Sequence, residues 1–194
     1  MRVHGPLLLV PLILAAQSCA YHHVPPTKGP ADAPITIVEF VDFQGPRTGQ
    51  TLQVMEELEA SYPGLLRFQV RRFPQPTNEN ARLAAMASMA AQEGGKYWEY
   101  AKVLFLNRDH LDRASLERYA GEAGLDVARF RSALDSGRYA EAVNVDLREA
   151  ARLNVVDEPT FLVGDVTLAG AHPVDSFREV IDEKLAASGR MKQP

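Results

Sequence analysis

The chain has 194 residues, which fits one domain, or one domain with a large insertion, and is long enough to bury a core. A hydrophobic fraction of 46% and a charged fraction of 24% are those of an ordinary globular protein. The net charge is −4 and both signs are mixed along the chain, so no basic stripe indicates a nucleic-acid partner.

The N-terminus has the pattern of an export signal. Arg2 precedes the apolar run LLLVPLILAA at residues 7–16, which is shorter than the roughly 20 residues that span a bilayer. Two cleavage sites fit the small residues that follow. One makes 1–20 the signal peptide and removes Cys19. The other makes 1–18 the signal peptide and leaves Cys19 to carry a lipid, because AAQSC resembles the lipobox of bacterial lipoproteins.

The lipoprotein prediction is preferred, since Cys19 is the single cysteine of the chain and stands at the end of the apolar run. We expect an exported protein, in the bacterial periplasm or on a membrane facing it, that contacts the membrane only through its lipid. In either case the mature domain has no free thiol and no disulfide within the chain. Residues 19–32 are rich in proline and polar residues, as in a semi-extended spacer. His22 and His23 lack a neighbouring cluster of cysteines or carboxylates, and no metal site is predicted.

A βαβ unit is predicted at the start of the folded domain, which we expect over residues 33–187. ITIVEFVDF at residues 35–43 is β-branched and aromatic, as in a central strand covered on both faces. The pattern then becomes helical, with Gly45 suited to the N-cap and Pro46 to the first helical position. LLRFQVRRF at residues 65–73 alternates apolar and polar residues. Strand, helix and strand in this order predict a parallel pair.

A block of helical patterns follows, at about residues 78–153. PTFLVGDVTLAG then indicates a hairpin that turns at residues 164–165, and a closing helix begins at Pro173. Residues 188–194 form a short tail. The predicted fold is α/β, with a βαβ unit and a ββα unit separated by an all-helical insertion.

Several segments, in this order, resemble the DsbA-type thiol–disulfide oxidoreductases, a thioredoxin fold interrupted by a helical domain. They are ADAPITIVEFVDFQ, NARLAAMASMAAQEGGKYWEYAKVLF, LDRASLERYAGEAGLD and EPTFLVGDVTLAGAHP. In that family the strand is followed by Cys-Pro-x-Cys. Here Gly45 and Thr48 stand at the two cysteine positions, with Pro46 and Arg47 between them. The family's reaction needs a thiolate at a helix N-terminus and a second thiol to resolve the mixed disulfide, and neither residue supplies one.

Other residues match the frame around the family's cysteines. Glu39 interrupts the apolar strand where the family often keeps a buried acid. A proton relay fits it, and so does a structural acid that is satisfied by the protein or bonded to ordered water. Burial without a partner would raise its pKa. Glu158, Pro159 and Thr160 resemble the cis-proline loop, whose backbone pairs with an extended substrate peptide in relatives. The Thr48 hydroxyl is expected to bond a nearby backbone group.

The resemblance without the cysteines implies a non-catalytic module that binds an extended peptide or an envelope protein and needs no cofactor. Two alternatives remain open. One is an enzyme, either a thiol–disulfide oxidoreductase or a transferase similar to the kappa-class glutathione transferases, which use a serine where Gly45 stands. The other is a purely structural envelope protein. Tyr97, Trp98 and Tyr100 are expected to belong to the core of the helical insertion.

Overall fold

The computed structural model describes residues 23–189. The predicted signal segment, the predicted lipid attachment at Cys19, His22 and the end of the tail lie outside these residues. Within them, no helix is both long enough and apolar enough to cross a membrane.

Five strands form one mixed sheet in the described part of the chain. They are β1 Thr27–Lys28, β2 Ile35–Val41, β3 Leu66–Arg72, β4 Thr160–Val163 and β5 Val166–Ala169. Their order across the sheet is β1-β3-β2-β4-β5. β2 pairs in parallel with β3 and antiparallel with β4, so it is central, as its β-branched composition predicted.

The helices between residues 23 and 189 cover the sheet and fill a long insertion. They are α1 Gly49–Ser61, α2 Ala81–Glu93, α3 Tyr97–Leu106, α4 Arg113–Glu122, α5 Val127–Asp135, α6 Ala140–Arg152 and α7 Val174–Ala187. α2 to α6 lie between β3 and β4. The side chains of Asp112 and Asp126 cap α4 and α5 by accepting bonds from backbone N–H groups two and three residues further on. The predicted α/β fold, two sheet units separated by a helical insertion, is confirmed.

The hydrophobic core has two main parts that meet along β2. Ile35 and Ile37, near its start, belong to a cluster with α1 and α7. Val41, at its end, and Phe43 belong to a cluster built mostly from the helical insertion. The turn that follows β2 therefore lies where the two clusters join.

The aromatic residues of α3 are part of this core, as predicted. Tyr97 and Tyr100 are buried in the insertion cluster, and the Tyr100 hydroxyl donates to the Leu116 carbonyl oxygen at 3.1 Å. Trp98 is half-buried and packs against both clusters.

The folded domain begins earlier than the sequence predicted, and the spacer prediction for residues 19–32 is wrong in its described part. β1 pairs with β3, and the Pro26 carbonyl oxygen accepts the Val70 N–H at 3.1 Å. His23 Nε2 lies 2.7 Å from Asp146 Oδ1 on α6. A two-residue strand has no periodic pattern to detect, and the unpaired edge of β3 is what orders it.

The α1 helix also begins later than predicted. Its N-cap is Thr48 and its first residue is Gly49, so Gly45 is not the cap. The Thr48 N–H donates to the Gly45 carbonyl oxygen at 3.3 Å, a bond between residues three apart that belongs to a tight turn. Arg108 Nη1 donates to the same oxygen at 3.3 Å and also to the Pro46 carbonyl oxygen. These bonds hold residues 45–48 as a separate turn.

Candidate functional site

The turn at Gly45 faces the loop that precedes β4, because β4 pairs with β2. The Glu158–Pro159 peptide of this loop is cis. A Cβ atom on residue 45 would lie only 2.2 Å from Glu158 Oε2. The Glu158 carboxyl group therefore occupies the space where a side chain of residue 45 would begin, and it would have to move to admit one.

Thr48 is fully buried and anchors the turn to the end of β2. Its hydroxyl donates to the Asp42 carbonyl oxygen at 2.5 Å, a bond to a backbone group as expected, and lies 3.4 Å from Glu158 Oε2. A hydroxyl has one proton, which the shorter bond takes. The contact with Glu158 is therefore the weaker of the two. Burial, followed by the nearby charge of Asp42, raises the pKa of Glu158, and the charge of Arg47 and the Thr48 hydroxyl oppose this in part.

The Asp42 side chain fixes the backbone on the other side of the turn. Its carboxylate accepts the N–H groups of Gln44 and Gln75, each at 2.9 Å, and Asn78 Nδ2 at 2.6 Å. These bonds join the end of β2 to the segment after β3. Sequence reasoning missed Asp42, although a buried carboxylate directly after an apolar strand was a usable signal.

Two arginines clamp the turn from opposite sides. Arg47 donates to Asp157 Oδ1, which also accepts the Glu158 N–H at 2.9 Å. Arg108, which follows α3, donates to the two turn carbonyl oxygens described above. The first arginine ties the turn to the cis-proline loop and the second ties it to the helical insertion. No local pattern in the sequence pointed to Asp157 or Arg108.

Two exposed apolar residues stand close in sequence to the residues that hold the turn. Val156 is 84% exposed and precedes Asp157, while Leu106 is 70% exposed and stands two residues before Arg108. Asp157 is bonded to Arg47 of the turn and Arg108 to two of its carbonyl groups, so both apolar residues are close in the chain to a residue that contacts the turn.

Glu39 lies beneath the surface, on the face of the sheet that α1 and α3 cover. It is 1% exposed, and neither carboxyl oxygen has a hydrogen-bond partner within residues 23–189. Burial raises its pKa to about 7, and the Thr51 hydroxyl, which donates to the Thr48 carbonyl oxygen at 2.8 Å, opposes this only in part. The two interpretations of Glu39, a proton relay and a structural acid satisfied by the protein or by ordered water, stay predictions.

Metal binding has no candidate among the described residues. No group of three or more histidine, cysteine, aspartate or glutamate side chains between residues 23 and 189 is placed to hold an ion. His23 contacts the Asp146 carboxylate. The same carboxylate also accepts from Arg71 Nη1 at 3.1 Å and from the Arg72 N–H at 3.0 Å.

A family model described as Thioredoxin matches residues 23–183 of the chain. The chain belongs to the thioredoxin family. Solved structures with the same fold include thiol–disulfide exchange proteins of the DsbA type. BdbD from Bacillus subtilis has a TM-score of 0.76 at 22% identity, covering 84% of this chain and 93% of that one. The thiol-disulfide exchange protein alpha-DsbA2 from Wolbachia pipientis has a TM-score of 0.73 at 18% identity, covering 82% and 86%. At these identities the likeness shows the fold alone.

A curated relative of this thioredoxin-family chain is a transporter. The Na(+)/H(+) antiporter NhaA of Herminiimonas arsenicoxydans is 34% identical over 167 residues, which cover 86% of this chain and 27% of the antiporter. The chain spans about a quarter of the length of the curated relatives that it matches.

Proposed function

We propose that this thioredoxin-family protein is an exported, lipid-anchored module that does not exchange disulfides and binds an extended peptide or an envelope protein. The observation that carries the proposal is the Glu158 carboxyl group above Gly45, 2.2 Å from where a Cβ would stand. Disulfide exchange needs a thiolate at this place. The Glu158 carboxyl group fills this place in the folded chain, and the Thr48 hydroxyl donates to a backbone carbonyl group.

The binding surface proposed here is the cis-proline loop, Glu158 to Thr160, together with the turn. An extended segment binds such a loop through backbone hydrogen bonds and places alternate side chains in neighbouring pockets. The Glu158 N–H is held by Asp157 at 2.9 Å, so a peptide carbonyl group would have to replace that carboxylate. Asp157 and Arg47 are each more than 40% exposed, and an ion pair so exposed contributes only about 0–1 kcal/mol. Moving the Asp157 carboxylate away from Arg47 therefore costs little free energy.

A membrane transporter is the partner class that we favour. In the antiporter relative, a segment similar to this chain is part of the same polypeptide as the rest of the transporter. In our proposal a lipid on Cys19 keeps the module at the membrane, and the surface around Gly45 contacts the transporter.

Partner capture tests this surface. A chain with Cys19→Ser, which cannot be acylated, is immobilised and exposed to a detergent extract of membranes, and bound proteins are identified by mass spectrometry. We expect a Na(+)/H(+) antiporter to be retained. Val156→Asp or Leu106→Asp should reduce retention at least tenfold, because each replaces an exposed apolar side chain of the proposed contact surface with a charged one.

The matched control is Val24→Asp. Val24 is also exposed, at 55%, but it precedes β1. In the strand order β1 is an edge strand, separated from β4 by β3 and β2. This variant should retain the antiporter as well as the parent chain does. Equal retention by all four chains would place the contact elsewhere, and no retained partner at all would favour the purely structural envelope role.

An enzyme is the second candidate, favoured by membership in the thioredoxin family. Purified Cys19→Ser chain should neither oxidise a reduced dithiol peptide nor reduce insulin above the uncatalysed rate, because it has no sulfur to exchange. A clear rate in either assay would overturn the non-catalytic proposal, whatever the capture experiment shows.

A further inference from the structure

A cavity of about 230 Å³ lies between α1, α3 and the sheet. Its walls are mostly apolar and include Leu52, Met55 and Phe68, with the aromatic side chains of Trp98 and Phe105. At roughly 30 Å³ per water molecule, this volume holds about eight waters or an organic molecule of about nine non-hydrogen atoms. Peptide binding at the turn does not involve this cavity.

Two buried polar groups line the cavity without a partner among residues 23–189. Both oxygens of Glu39 and the hydroxyl of Tyr97 make no hydrogen bond there. Buried polar groups are normally hydrogen-bonded, and a buried carboxyl group without a partner is costly. A ligand that donates a hydrogen bond to Glu39 would offset the free energy that its burial without a partner costs.

Among the charged residues that line the cavity, Glu39 is the one without an oppositely charged partner. Of the other charged residues that line it, Lys28 pairs with Glu59 at 2.5 Å, Lys102 with Glu56 at 3.1 Å, and Glu99 with the neighbouring Lys96 at 3.0 Å. Each of these pairs is partly exposed. Behind the wall, the buried guanidinium of Arg72 lies 5.3 Å from the centre of the Tyr97 ring and is paired with Asp146 at 3.8 Å. Among the residues that line the cavity, Glu39 is therefore the one buried acid, and none is a buried base.

We propose that the cavity binds a small organic amine with an apolar body, whose ammonium group donates to the Glu39 carboxylate. A carboxylate accepts hydrogen bonds and cannot donate, and bonds between two charged groups are the strongest of their kind. The Tyr97 hydroxyl provides a second acceptor, and the aromatic walls attract a cation through their ring faces. A ligand with a carboxylate or phosphate would be repelled by Glu39.

Calorimetric titration with 2-phenylethylamine at pH 8 tests the proposal, and Trp98 reports where the ligand binds. Trp98 is the single tryptophan of the chain, so a saturable change in its emission locates the ligand in this cavity. We expect saturable binding by both methods. Glu39→Gln should weaken it at least tenfold, and the neutral 2-phenylethanol should bind the parent chain at least tenfold more weakly than the amine.

Glu56→Gln is the matched control, since it removes an acid at the cavity mouth whose side chain is 55% exposed. This variant should bind the amine within twofold of the parent chain. Ala101→Leu, which fills the cavity from α3, should abolish binding of both probes. Absence of saturable binding to the parent chain, equal affinity in Glu39→Gln, or equal affinity for the alcohol would each overturn the proposal.

Discussion

Gly45→Ala is expected to lower the free energy of unfolding by about 1–2 kcal/mol, the usual cost of a methyl group forced into a filled space. The added Cβ would lie 2.2 Å from Glu158 Oε2, and Glu158 is itself 5% exposed, so its carboxyl group must leave the Thr48 contact. Urea denaturation of both chains measures the difference.

The same substitution made in the Glu158→Ala variant tests whether Glu158 causes the loss of stability. In Glu158→Ala the obstructing carboxyl group is absent, and the backbone at Gly45 is not in the left-handed region. Gly45→Ala should then be neutral or stabilise by up to about 1 kcal/mol, because alanine restricts the unfolded chain. Gly49→Ala is the matched control, since no atom lies within 4 Å of its Cβ, and it should not destabilise in either background. Equal destabilisation by Gly45→Ala in both backgrounds would show that Glu158 does not fill the site.

Glu39→Gln is expected to stabilise the protein at pH 8 and to have little effect at pH 4.5. Burial raises the pKa of Glu39 from 4.5 to about 7. Between these values the folded chain holds a proton that the unfolded chain has lost, so stability falls as pH rises. The loss is absent below pH 4.5 and complete above pH 7, and it corresponds to about 3 kcal/mol. Glutamine has no proton to lose and removes this pH dependence.

The measurement is the difference in unfolding free energy between parent and variant, taken by urea denaturation at pH 4.5 and at pH 8. Comparing the two differences cancels the titration of all other groups. Glu56→Gln, which replaces an exposed acid of α1, should change the parent's pH dependence by less than about 0.5 kcal/mol. A Glu39→Gln effect that is the same at both pH values would show that Glu39 ionises normally in the folded chain.

The order of the elements could be predicted from the sequence because each depends on residues close together in the chain. The β-branched run of β2 and the glycine turn between β4 and β5 lie where they were expected. Gly164 at that turn has a φ of 63°, which glycine adopts at little cost. The absence of sulfur at positions 45 and 48 is likewise a property of the sequence alone.

The burial of Arg72 could not be explained from the local sequence pattern. The alternation of β3 placed it on the buried face, yet an arginine is rarely found there without partners. Ser88 Oγ at 3.1 Å, Gln92 Oε1 at 2.7 Å and Asp146 Oδ2 at 3.8 Å provide them, from two helices of the insertion. Only the packing of those helices on β3 makes this burial possible.

The candidate site was decided by tertiary structure for the same reason. The sequence determined that residue 45 is glycine and that residue 158 is an acid, but not that one occupies the space above the other. That contact joins residues more than 100 positions apart and exists because β4 pairs with β2, which brings the cis-proline loop against the turn. The position of Arg108 and the cavity beside Glu39 depend on how α3 packs. Side-chain periodicity is set by neighbours within about one helical turn, whereas the groups that meet at a site are set by the packing of whole elements.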